Sequence, residues 1–480
     1  MVFSSVTFLF YFLPFVLLFY FISPFRNVFL LLASLFFYAW GEVNYVLLLL
    51  LSITANYVFG IFIERQSSSS MKRVALVLGV IVNVGSICFF KYTNFLVENL
   101  NQILSWFHGS PISLEPVHLP LGISFFTFQA ISYLIDVYRQ TCRSERNPLT
   151  LGLYISMFPQ LVAGPIVRFN EIVEQLHQRS VNREKFAEGV RRFVVGLGQK
   201  VIIANALAVP ADAIFSLPPE NLTAAIAWTG AASYTLQIYF DFAGYSSMAI
   251  GLGLMFGFTI PENFNYPYIS QSITEFWRRW HMSLSGWFRD YLYIPLGGNR
   301  GGAGRTYLNL IIVFFLCGLW HGASWTFVVW GLFHGAFLVL ERIGFGKWLA
   351  LVWRPFGHAY VMVVVIVGWT FFRADNFDVA AAFLTAMAGL GKGNGIVNHV
   401  WQFLDREVIL ALILGGIGAA PIIPMMKRWC SAMHFGFARK RGPFPFFPRS
   451  VETICLAGIL FLVIANLAAK THNPFIYFRF

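Results

Sequence analysis

The chain has 480 residues, of which 57% are hydrophobic and 12% charged, with a mean hydropathy of +0.65 and a net charge of +12. A soluble domain carries about 25% charged residues, so an ordinary water-soluble enzyme is excluded. The nucleic-acid partner that such a basic balance would suggest in a soluble chain is excluded with it, because basic residues in the cytoplasmic loops of a membrane protein account for the charge.

The length accommodates about ten spans of about 20 apolar residues each, with short loops. The 14 Trp and 19 Tyr fit the interfacial belts of such a protein. Cys88, Cys142, Cys317, Cys430 and Cys455 form no C-x-x-C pair, so neither a zinc site nor a disulfide framework is expected.

Apolar segments are predicted at 6–23, 28–41, 43–63, 74–90, 120–138, 151–167, 190–209, 224–240, 243–260, 306–321, 325–341, 358–372, 408–426 and 451–469. The first, Val6 to Ile22, has no basic region before it and no cleavage site after it, and reads as a retained span. No long linker divides the chain, so one membrane domain over 1–480 is expected. The loops 108–119 and 210–223 hold no Lys or Arg, whereas 178–200 and 427–449 each hold six. The former are therefore placed outside and the latter in the cytoplasm, which leaves Phe480 outside.

Pro120 to Arg139 reads as a framework span with Gln129 and Asp136 as its inner polar groups. Segment 151–167 has Arg143 and Arg146 before it, Arg168 after it, and Pro159, Gly164 and Pro165 within it. A segment that begins and ends on the basic side reads as re-entrant, tolerated only where protein or a wet cavity surrounds it. Asp241 lies among apolar residues, fit to orient a histidine, to bind an arginine or to close a buried salt bridge.

Glu275 to Gly298, EFWRRWHMSLSGWFRDYLYIPLGG, has helical periodicity. Trp277, Trp280, His281, Leu284, Trp287, Phe288 and Tyr291 share one face, and Arg278, Arg279, Ser283, Ser285, Arg289 and Asp290 the other. This predicts an interfacial helix with its aromatic face at the bilayer boundary. His281 is the odd member of that face, either capped by a hidden partner or lining a cavity.

His321 in CGLWHGASW follows fifteen almost uncharged residues. An ionisable group at membrane depth is costly and marks a functional site. Gly318 and Gly322 flank it on one predicted helical face, permitting close helix approach or leaving space beside the imidazole. Cys317 lies one turn earlier, where a Cys/His nucleophile pair is conceivable, although a small packing residue is the simpler account. His334 in WGLFHG reads as structural.

Together with FPQLVAGPIVRF (Phe158 to Phe169), these stretches resemble the membrane-bound O-acyltransferase family, within it the bacterial branch of alginate O-acetyltransferases and teichoic-acid D-alanyl transferases. The similarity runs from MVFSS at Met1 to NPFIYFRF at Phe480. WRRWHMSLSGWFRDYLYIPLGGNR and LWHGASW, with His281 and His321 forty residues apart, carry it.

The resemblance implies an all-α ring of tilted and broken transmembrane helices around a thin, funnel-shaped centre. It implies catalytic roles for His321, the signature histidine, and for His281, with Asp241 and Trp320 supporting them. It also implies an acyl thioester donor, acetyl-CoA in the first instance, drawn by Arg278, Arg279 and Arg289. The acceptor would be an exopolysaccharide hydroxyl or a periplasmic acetyltransferase partner, reached from a bacterial inner membrane whose lipid surrounds the chain. No metal and no resident cofactor are expected. The branch usually reads GYSD where this chain has GYSS, Gly244 to Ser247, which leaves alginate-like and cellulose acceptors equally open. The rival readings are a transporter or flippase, and a D-alanyl-type transferase fed by a carrier-protein thioester.

Overall fold

A computed structural model describes residues 1–391, 393, 399–422, 424–425 and 447–469. Residues 427–446 of the second basic stretch, together with Cys430 and Phe480, lie outside the described residues. Among the described residues the protein is all-helical, with no strand. Among those residues seven helices are long and apolar enough to cross a membrane, and four shorter apolar helices accompany them. The predicted polytopic all-α architecture is observed.

The first helices are α1 (Leu13–Ile22), α2 (Arg26–Ala39), α3 (Val46–Arg65), α4 (Ser69–Ile87) and α5 (Thr93–Trp106). A π-helical turn, Cys88–Tyr92, joins α4 to α5. Their outer faces, with Leu47, Leu51 and Ile81, are exposed and suited to lipid. By contrast α6 (Ile123–Tyr138) is buried along nearly its whole length, as the predicted framework span should be. Its Asp136 accepts the Tyr291 hydroxyl at 2.9 and 3.0 Å.

Next come α7 (Pro148–Ser156) and α8 (Phe158–Leu161), which carry segment 151–167. Asn147 caps α7 by accepting from Leu149 N–H. The chain breaks at Met157, and Leu161 comes against Gly122 at the far end of α6. It then returns in extended form, and the Tyr154 hydroxyl, bonded to the Val167 carbonyl at 2.9 Å, ties the return to α7. Before the excursion Glu145 meets His177, and after it Arg168 meets Asp290, which also holds Arg139 through its backbone carbonyl. The segment thus leaves and rejoins the same basic end, as its charges predict, with its polar backbone buried in protein.

Then follow α9 (Phe169–His177), α10 (Arg183–Gly198), α11 (Asn205–Phe215) and α12 (Ala224–Met255). Segments 224–240 and 243–260, predicted as two, are mostly one continuous helix. Thr223 caps its start, and Gly244 causes no break because it serves packing. A Cβ on Gly196 would stand 2.6 Å from the Gly244 carbonyl oxygen, and one on Gly244 2.7 Å from that of Gly196. Gly189 and Gly251 repeat the arrangement at 2.6 Å in both directions. The glycines recur seven apart on each helix, about two turns, so both pairs lie on one contact face.

The last elements used below are α13 (Ile273–Arg279), α14 (Met282–Phe288), α15 (Gly302–His321), α16 (Trp325–Leu340), α17 (Gly346–Leu349) and α18 (Arg354–Arg373). The predicted single interfacial helix is instead two short ones, α13 and α14, broken at His281, whose φ of 44° is left-handed. Its aromatic face meets protein rather than lipid: Trp277, Trp280, Leu284, Trp287, Phe288 and Tyr291 are all buried. Trp287 stacks on Phe128 of α6 at 3.9 Å, and Trp277 packs on Phe314 of α15.

Candidate active site

His321 is the last residue of α15, because Gly322 leaves helical backbone (φ −166°, ψ 151°). Gly318 faces the backbone of Phe327 in α16, whereas Gly322 lies beyond the helix end against the Phe327 ring. The two glycines therefore do not share a helical face as predicted. Lys91, buried in the π-helical turn, donates to the carbonyls of Trp320 (2.5 Å) and His321 (3.2 Å). The Tyr92 hydroxyl takes the Leu319 carbonyl at 2.5 Å. These are the carbonyls that a helix end leaves without partners, and a cation there also suits the helix dipole. The His321 ring is enclosed edge-on by Trp320 (4.9 Å), Trp330 (5.0 Å) and Phe372 (5.2 Å).

His281 is fully buried in the break between α13 and α14. Its Nδ1 lies 3.0 Å from the side-chain oxygen of Asn263, and its ring stands edge-on to Phe242 at 4.6 Å. Trp320 sits between the two histidines, 6.1 Å from His281 and 4.9 Å from His321. The structure therefore brings His281 together with Trp320 and His321, which the sequence had placed on a separate segment. His334 lies one ring further on, 5.3 Å from Trp330, fully buried among aromatic rings.

Two cavities approach this cluster from opposite ends. At the basic end, about 720 Å³ is lined by Arg168, Arg278, Ser283, Arg289, Trp277 and Cys317. At the other end, about 440 Å³ is lined by Glu42, Lys91, His118, Val162, Trp320 and His321. A neighbouring space of about 350 Å³ shares Lys91 and Leu119 and adds Arg373, which pairs with Asp212 at 2.7 Å. The two loops without Lys or Arg, 108–119 and 210–223, thus meet at one end of the protein. Cys317 lines one cavity and His321 the other, and four residues of helix separate them, about 6 Å of rise. The re-entrant return runs alongside, with Val162 in one cavity and Ile166 in the other.

The three predicted donor-binding arginines separate. Arg278 and Arg289 line the basic cavity. Arg279 does not: it pairs with Glu275 at 2.9 Å and donates to the Asn265 carbonyl at 3.0 Å. That i,i+4 pairing turns its guanidinium inward along the helix. Arg168, which the sequence marked only as a flanking charge, joins the cavity and pairs with Asp290 at 2.6 Å. Of the alternatives open for Asp241, the buried salt bridge is observed: Lys200 stands 2.6 Å away and both are almost inaccessible. Asp241 reaches the site through its neighbour Phe242, which contacts His281.

Three residues were missed. Lys91 could have been found, since it is the one cation inside the apolar helical stretch 74–97. Asn263 and Glu341 carry no such signal. Glu341 accepts from Ile273 N–H (2.5 Å), Thr274 N–H (2.9 Å) and the hydroxyls of Thr274 (2.6 Å) and Tyr360 (3.2 Å), anchoring the start of α13 just before His281.

The family model described as MBOAT, membrane-bound O-acyltransferase family, matches residues 144–374, a range that contains both histidines and Asn263. The chain is 49% identical to a probable alginate O-acetylase AlgI of Azotobacter vinelandii, with the whole of both chains covered. It is 40% identical to a peptidoglycan O-acetyltransferase of Helicobacter pylori, over 85% of this chain and 84% of that one. It is 30% identical to a teichoic acid D-alanyltransferase of Bacillus subtilis, over 54% of this chain and 69% of that one. A multi-pass membrane protein with two buried histidines between opposed cavities, related over its full length to a probable alginate O-acetylase, belongs to the membrane-bound O-acyltransferase family and is an O-acyltransferase.

Proposed function

We propose that the protein takes an acetyl group from a thioester in the basic cavity and passes it to a hydroxyl in the opposite cavity, for O-acetylation of an exopolysaccharide. The observation that carries this reading is the approach of the two cavities to one turn of α15, with Cys317 on one side and Trp320 and His321 on the other. By the positive-inside rule the basic end faces the cytoplasm, and in this reading the membrane is the bacterial inner membrane. There Arg168, Arg278 and Arg289 suit the phosphates of acetyl-CoA as charge-assisted donors. A hydroxyl enters from the other side, as a polysaccharide or as a periplasmic acetyltransferase partner that carries the group onward. The alginate and peptidoglycan in the relatives' names favour a polysaccharide destination.

In the reaction the acceptor oxygen bonds to the thioester carbonyl carbon, and the carbon–sulfur bond breaks. His321 removes the hydroxyl proton, because a neutral imidazole nitrogen carries a lone pair that can accept it. The departing thiolate receives a proton and leaves as the free thiol. Enclosure by Trp320, Trp330 and Phe372 keeps water from competing for the thioester. The donor departs after each turnover, and the residues named supply the proton transfers without a resident cofactor.

The test is reconstitution with acetyl-labelled coenzyme A and a polysaccharide acceptor. Thioester cleavage with labelled acceptor is expected. Movement of a solute without cleavage would support the transporter reading. Cleavage seen only with a carrier-protein thioester would favour the D-alanyl-type donor. Arg278 makes no ion pair among the described residues, so Arg278→Ala is expected to raise the donor KM about tenfold with little change in kcat, phosphate attraction being uniform binding. Arg279→Ala should leave that KM near the parental value, since Arg279 lies outside the cavity lining.

A further inference from the structure

Asn263 stands on the extended segment between α12 and α13 and is almost wholly buried. Its side-chain oxygen meets three groups: Ser283 N–H at 3.2 Å, the Ser283 hydroxyl at 2.9 Å and His281 Nδ1 at 3.0 Å. A backbone N–H can only donate, so the atom facing it must be the amide oxygen and not the amide nitrogen. The Ser283 oxygen accepts the backbone N–H of Ile166 at 3.0 Å, which directs the hydroxyl's own proton to Asn263. An oxygen so placed accepts from His281 as well, and Nδ1 must carry the hydrogen. A neutral imidazole has one such hydrogen, so Nε2 holds a lone pair. Nε2 is buried and has no hydrogen-bond partner among the described residues.

The backbone holds this arrangement in place. Met282 N–H donates to the Asn263 carbonyl at 2.9 Å, and Asn265 N–H to that of Arg279 at 3.0 Å. These two bonds bracket His281 in its left-handed conformation. Around the ring stand Phe242 from α12 and Trp320 from α15, with His321 packed on Trp320. His321 is the titratable group among them, and Lys91 donates to its backbone carbonyl from the π-helical turn.

We propose that Asn263 is a positioning residue that fixes His281 as the Nδ1–H tautomer and so reserves Nε2 as a proton acceptor during acyl transfer. The inference rests on the reading of His281 and His321 as the reaction centre. The proton that His321 takes from the acceptor hydroxyl passes to Nε2, and the imidazolium so formed returns it to the departing thiolate. His281 is neutral before and after, and one proton moves from oxygen to sulfur. Without the Asn263 oxygen the ring is free to place its hydrogen on Nε2, which closes that route.

The experiment compares Asn263→Ala, Asn263→Asp, His281→Ala and the Ala/Ala double variant by kcat, donor KM and the pH dependence of kcat, in protein whose thermal melting shows it folded. Asn263→Ala is expected to lose kcat at least about 30-fold, within the range of lost proton-transfer assistance, with KM within about twofold of the parent. Asn263→Asp keeps an acceptor oxygen and should retain most of kcat. Its carboxylate favours the imidazolium, so a higher pH is needed to free Nε2, and the acid limb of the profile should move up by about one unit or more. The double variant should be no worse than His281→Ala, because the two residues act as one unit.

Parental kcat in Asn263→Ala, an unshifted limb in folded Asn263→Asp, or additive losses in the double variant would each overturn the proposal. If Asn263→Asp does not fold, the double-variant comparison decides. If His281→Ala itself keeps parental kcat, the reading of the centre fails. If His281→Ala is inactive and Asn263→Ala is not, only the Asn263 assignment fails.

Discussion

His321→Gln should transfer acetyl groups at least about 10²-fold more slowly than the parent, and within about tenfold of His321→Ala, the loss expected when a positioned base is removed. Glutamine fills similar space and can hydrogen-bond, but it cannot accept a proton at neutral pH. The ring occupies a tight aromatic enclosure, and Lys91 holds the helix end through backbone carbonyls that any side chain leaves in place. Both variants are therefore expected to insert and fold. Kinetics on purified protein of matched thermal stability check this. Near-parental activity in the Gln variant would return His321 to a packing role.

Gly196→Val should abolish recovery of folded protein. Its first side-chain carbon alone would stand 2.6 Å from the Gly244 carbonyl, and the neighbouring Gly189–Gly251 pair prevents the helices from tilting to make room. Overpacking in a close interface costs about 1–3 kcal/mol, and more where backbone must move, as here. Gly85→Val supplies the control, since nothing lies within 4 Å of its first side-chain carbon. Size-exclusion profiles in detergent should show a folded peak for Gly85→Val and none for Gly196→Val.

The sequence shows what depends on local chemistry. An isolated histidine in an apolar segment and basic residues on both sides of a Pro/Gly-broken stretch each have a direct physical cost or cause: the first packs among Trp320, Trp330 and Phe372, and the second leaves and rejoins one end of the protein. The break at His281 was not legible, because a left-handed histidine has no local signature and is held by backbone bonds to residues 263–265. Asn263 and Glu341 act across 18 and about 68 residues, where periodicity carries no information. The aromatic face of 275–298 was assigned to lipid because amphipathicity alone cannot distinguish lipid from protein as the apolar partner. Arg279 could have been separated from Arg278 by its i,i+4 relation to Glu275.

The central claim is transfer across the protein, from a donor at the basic end to an acceptor at the other. Sealed vesicles containing the protein in one orientation test it most directly, with acetyl-labelled coenzyme A supplied only on the face that bears Arg278 and a polysaccharide only on the opposite face. Labelled polysaccharide and free thiol on their respective sides, both lost in His321→Ala, are predicted. Acetyl-coenzyme A crossing intact, or label reaching the polysaccharide equally well in His321→Ala, would contradict the account.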